Sequence, residues 1–85
     1  MAVAARKLKR VLEEQFPPPD KVTLRDDDGI IGIVTSRRFR RMDTMQRQDL
    51  IQVLTAGLTP QERRHVLMIV AVTPEEELAN SGDDN

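Results

Sequence analysis

Apolar residues at Val3, Leu8, Val11, Leu12 and Phe16 fall on one helical face, with Arg6, Lys7, Lys9, Arg10, Glu13 and Glu14 on the rest. Pro17, Pro18 and Pro19 end that helix, because proline lacks an amide donor and restricts the residue before it. Lys21 to Arg25 then alternates, so Val22 and Leu24 share one face of a strand. Asp26, Asp27, Asp28 and Gly29 supply turn chemistry, with Asp28-Gly29 as the corner. Ile30 to Ser36 is rich in β-branched residues and reads as the second strand of a hairpin. Gly32 inside it predicts a bulge or a close backbone approach.

The pattern then returns to helix. Asp43 and Gln46 form a capping box, so a helix opens near Thr44, with Leu50, Ile51, Leu54 and Leu58 as its apolar stripe. Gly57 is placed to close it in a left-handed cap. Thr59-Pro60-Gln61-Glu62 is a second capping box and predicts one short helical turn. Val66 to Val72 is wholly apolar and bounded by cap signals, which suits a buried strand better than a helix. Thr73-Pro74-Glu75-Glu76 opens a short last helix. The order is helix, strand, strand, helix, short helix, strand, short helix. It predicts an α+β domain with a three-stranded mixed sheet and helices on one face.

The chain has 85 residues, room for one domain, which we place at residues 1–79 with a disordered acidic tail at 80–85. The absence of cysteine excludes disulfides, thiol catalysis, zinc ribbons and self-contained iron–sulfur sites. Aromatic residues are 2%, too few for a base-stacking platform. No apolar run is long enough to span a membrane and no signal peptide opens the chain, so a cytoplasmic protein without membrane contact is expected. Net charge is −1, but it divides: residues 1–74 sum to +4 and residues 75–85 to −5.

Few residues offer chemistry. His65 is the single histidine, and reads either as a strand-end residue hydrogen-bonded to backbone or facing solvent, or as one ligand of a site completed by another molecule. Arg37, Arg38, Arg40 and Arg41 surround Phe39 just before a helix, with Arg47 in its first turn. They read either as a solvated connection with Phe39 in the core, or as a phosphate-binding patch for DNA or RNA. Gly29-Ile30-Ile31-Gly32 has the spacing of a nucleic-acid clamp but lies in a hairpin. The three aspartates of the turn lack the alternating oxygens of a calcium loop. Ser36 and Thr73 have no basic partner in the sequence, so an enzyme is not expected.

Ser36-x-x-Phe39, an arginine eight residues later at Arg47, His65-Val66-Leu67 opening the last strand and Thr73-Pro74-Glu75-Glu76 closing it stand in one order and spacing. Together they resemble the BolA family, including its IbaG-type members, from about Lys7 to Ala79. The resemblance implies a class II KH-like fold and a non-catalytic adaptor. That adaptor would bind a monothiol glutaredoxin and share a [2Fe–2S] cluster with it and glutathione, with His65 as a ligand. The docking surface would combine Arg47, His65, Val66 and the basic connection. The family's second ligand, a His or Cys in the first hairpin loop, has no counterpart here, where the loop is Asp26-Asp27-Asp28-Gly29. Some family members act as DNA-binding regulators, which makes Arg37, Arg38, Arg40, Arg41 and Arg47 the alternative site. A domain that has lost the cluster and only mediates protein contacts is the third reading. Alone, the chain is expected to be a monomer.

Overall fold

The computed structural model describes residues 3–82. Helix α1 (Val3–Gln15) leads into the hairpin strands β1 (Lys21–Asp26) and β2 (Ile30–Thr35). A 3-10 turn (Arg37–Arg41) and two helices, α2 (Thr44–Leu54) and α3 (Pro60–Arg64), connect to strand β3 (Val66–Val72). Helix α4 (Pro74–Gly82) follows at once. Residues 80–82, expected in the tail, therefore continue a helix, and 83–85 lie outside the described residues.

The sheet order is β1-β2-β3, with β1 antiparallel and β3 parallel to β2. This is the mixed sheet that the element order predicts. One core fills the space between the sheet and the helices. Ala4, Ala5, Leu8 and Leu12 of α1 meet Ile30 and Val34 of β2, Ile69 and Ala71 of β3, and Ile51 of α2. Phe16 and Phe39 close one end with ring centroids 5.5 Å apart. Both are fully buried, so this pair supplies the largest apolar burial in the core.

The capping boxes form as read. The Asp43 carboxylate accepts the Gln46 amide, and Thr59 Oγ1 accepts the Glu62 amide. Two expectations change, the cap at Gly57 and the bulge at Gly32. Helix α2 ends at Leu54 with Thr55 as its cap, whose hydroxyl donates to the Ile51 carbonyl at 2.8 Å, so Gly57 is not the left-handed cap. Gly32 lies in regular register and owes its place to Leu24, whose Cδ2 would lie 2.8 Å from an added Cβ. The irregularity is instead between Ile30 and Ile31, where β3 accommodates an extra residue, Leu67.

That bulge sets the hairpin corner. Asp28 has φ of 55° and Gly29 of 130°, and a Cβ on Gly29 would lie 2.5 Å from Leu67 Cγ. Backbone conformation and packing both require glycine there. Gly29→Ala is therefore expected to cost about 1–3 kcal/mol in urea unfolding. Asp28→Gly, at a position already left-handed, should leave stability unchanged or slightly raised.

Candidate functional site

The local structure around the arginine connection starts with Ser36. Its buried hydroxyl accepts the Arg38 amide at 3.1 Å, which caps the 3-10 turn, and donates to Asp20 Oδ2 at 3.0 Å. This places Phe39 in the core and turns the arginines outward. They do not form a common cationic patch. Arg38 lies 4.8 Å over the Phe16 ring and donates through Nη1 to the Gln15 carbonyl, at the open end of α1. Arg40 makes a two-pronged ion pair with Glu75, Nε at 2.8 Å from Oε1 and Nη2 at 2.6 Å from Oε2. Arg37 faces the same carboxylate electrostatically. Arg41 is exposed and makes no hydrogen bond or ion pair with the described residues.

Arg47 departs furthest from its predicted role. Only 15% of its side chain is exposed. Nε donates to the Met42 carbonyl at 3.1 Å, Nη2 to the Phe39 carbonyl at 2.8 Å, and Nη1 to both the Ala71 carbonyl and Glu76 Oε1 at 3.2 and 2.8 Å. Four of the five guanidinium donors are thus engaged within the fold. The neighbouring Gln48 donates to the Ile69 carbonyl. Arg47 and Gln48 together satisfy the outward carbonyls of β3, a strand at the sheet edge. Sequence spacing places Arg47 in the first turn of a helix, but its acceptors lie up to 29 residues away, which no local signal discloses.

The counter-charges come from the first turn of α4. Three consecutive glutamates reach three different parts of the fold: Glu75 to the 3-10 turn, Glu76 to α2 and Glu77 to the hairpin, where it accepts the Thr35 hydroxyl and pairs with Lys21 at 3.6 Å. The Arg40 hydrogen bond holds Glu75 below the ordinary carboxylate range and pushes Arg40 up. Arg47, then the Thr73 amide, hold Glu76 down, and the Thr35 hydroxyl does the same for Glu77. Across the molecule, the Thr59 amide and Lys7 lower Glu62, which joins α3 to α1.

His65, unlike Arg38, Arg40 and Arg47, also remains available. It caps α3, its amide donating to the Glu62 carbonyl at 3.2 Å, and its own carbonyl accepts the Ile30 amide at 2.6 Å. The backbone is thus fixed from both sides, while the exposed imidazole makes no hydrogen bond or ion pair with the described residues. The Ile30 contact also sets His65 beside the acidic hairpin turn. Val66, expected on the docking surface, is half-buried against the core. The structure thus brings His65 to the hairpin turn, and places Arg47 within the fold.

No family model and no curated protein sequence matches the chain. Solved structures do. BolA1 from Arabidopsis thaliana superposes with a TM-score of 0.67 over 89% of this chain and 98% of that one, at 17% identity. The chain has a BolA-like fold. A bol-like protein from Babesia bovis gives 0.65 over 95% of both chains at 18% identity. The BolA-like architecture spans nearly all the described residues, and the motifs that suggested it are here internal joints: Ser36 as a cap, Phe39 as core and Arg47 as a clamp.

Two outcomes test this site. Arg47→Ala should cost about 2–3 kcal/mol in urea unfolding, since it leaves several acceptors without their charged donor. Arg47→Lys should recover less than half, because an ammonium group cannot span these acceptors. The pH dependence has a fixed sign. Glu62, Glu75, Glu76 and Glu77 are lowered by folding, so the unfolded chain binds protons first. Their contribution is complete above the ordinary glutamate value of 4.5 and is lost as pH falls below it. The urea midpoint should drop between neutral pH and about pH 3, and Glu75→Gln together with Glu76→Gln should flatten that drop.

Proposed function

We propose that the chain is a BolA-family adaptor, non-catalytic, that docks on a monothiol glutaredoxin and contributes His65 to a [2Fe–2S] cluster otherwise held by thiolates of the partner and glutathione. The observation that carries this reading is the exposed, unengaged imidazole on a backbone fixed at both ends. A neutral ring nitrogen is a good ligand for such a centre, and a fixed backbone lowers the ordering cost of presenting it.

The donor set fits one ligand and no more. The chain has no cysteine, and among the described residues no three His, Cys, Asp or Glu side chains gather as a metal site. The cluster would therefore belong to the complex rather than to this chain. What the chain itself does is position His65 and keep its backbone fixed through Ile30 and Glu62. With the hairpin turn offering aspartates in place of a His or Cys, the shared cluster should be more labile than one held by two ligands from this side. The nucleic-acid reading draws less support, because Arg38, Arg40 and Arg47 are engaged within the fold and the connection keeps only Arg37 and Arg41 for phosphates.

Isotope-labelled protein titrated with cluster-loaded monothiol glutaredoxin and glutathione tests the reading. Amide shifts centred on His65 and the hairpin turn, with a change in the visible cluster spectrum, are expected. His65→Ala should abolish the spectral change, while Arg41→Ala should leave it intact. No shift at high partner concentration would overturn the proposal. Salt-sensitive shifts at Arg37 and Arg41 on adding DNA or RNA, without any response to the glutaredoxin, would replace it with nucleic-acid binding.

A further inference from the structure

The helices leave one side of the sheet open, although β2 and β3 pair in parallel and parallel strands ordinarily have both faces covered. On that side Ile31 stands opposite Met68 and Ile33 opposite Val70. Ile31, Ile33 and Met68 are 36%, 41% and 53% exposed. The bulge adds Leu67, 60% exposed, over the hairpin corner. At the other end Leu78 of α4, largely exposed, lines a hollow with Lys21 and Thr35. The outer edge of β3 is by contrast closed by Arg47 and Gln48. The apolar surface thus lies on a face and not along that edge.

We propose that this open face is the contact between two copies of the chain, packed sheet against sheet about a two-fold axis with their β2 strands antiparallel. Area supports a second copy. The five apolar side chains present on the order of 400 Å², and a standard interface takes about 800 Å² per partner with little more than half of it apolar. Shape agrees with this arrangement: a two-fold sets Leu78 of one copy toward Leu67 and Met68 of the other, an isologous match. The proposal does not depend on His65.

Sedimentation equilibrium followed by interference optics tests it, since the chain has no Trp or Tyr to absorb. From micromolar to near-millimolar protein, the weight-average mass should rise from that of one chain toward twice that value. Ile33→Glu and Met68→Glu place a charge on the buried face, and each should hold the mass at one chain. Circular dichroism melts confirm that the variants are folded. A wild-type mass of one chain at every concentration would overturn the proposal, as would a folded Ile33→Glu protein that associates like the wild type. Shifts at Ile33 and Met68 that appear only on adding a different protein would assign the face to that protein and overturn self-association.

Discussion

Arg47 stands where the 3-10 turn, α2, β3 and α4 meet, and its planar group offers donors in enough directions to reach all of them. Removing it would leave the Phe39, Met42 and Ala71 carbonyls without a charged donor, and Glu76 without its cation. Because the parallel β2–β3 pair is joined by a long crossover, nothing covalent fixes that crossover against the sheet. The guanidinium does so, and the apolar core beneath it then packs in one way. The arrangement is only partly buried, so its value lies in satisfying backbone acceptors rather than in a large Coulombic gain.

From this clamp the distribution of charge follows. The body is basic and the following segment acidic, and the two are matched residue by residue: Glu75 with Arg40, Glu76 with Arg47, Glu77 with Lys21. Two of the five arginines read as a possible nucleic-acid patch, Arg40 and Arg47, belong to the seam that holds α4 down. His65 lies away from that seam, at the junction of α3 and β3 beside the hairpin turn, which leaves its imidazole as the chemically distinctive group facing solvent.

Much of the fold was legible because its signals are local. Asp43 with Gln46, and Thr59 with Glu62, announce helix starts within four residues, and the three prolines after Phe16 announce an end. The roles of Arg47 and Arg40 were not legible, since a run of arginines reads alike whether its partners are solvent, phosphates or carboxylates 29 to 35 residues further on. The apolar run Val66 to Val72 identifies a strand but carries no alternation, so it does not tell which of its faces is covered. Leu67 and Met68, expected to be buried with the rest of that run, are exposed on the uncovered side. Gly57 misled because a glycine near a helix end is a frequent cap, and here Thr55 closes the helix first through its own hydroxyl.

The three-glutamate turn at the start of α4 gives that helix a reach its length does not suggest. Through Glu75, Glu76 and Glu77 one turn is tied at once to the 3-10 turn, to α2 and to the hairpin. Lifting that single turn therefore releases three separate parts of the fold together, so α4 is a joint shared by the whole domain rather than an appendage to β3.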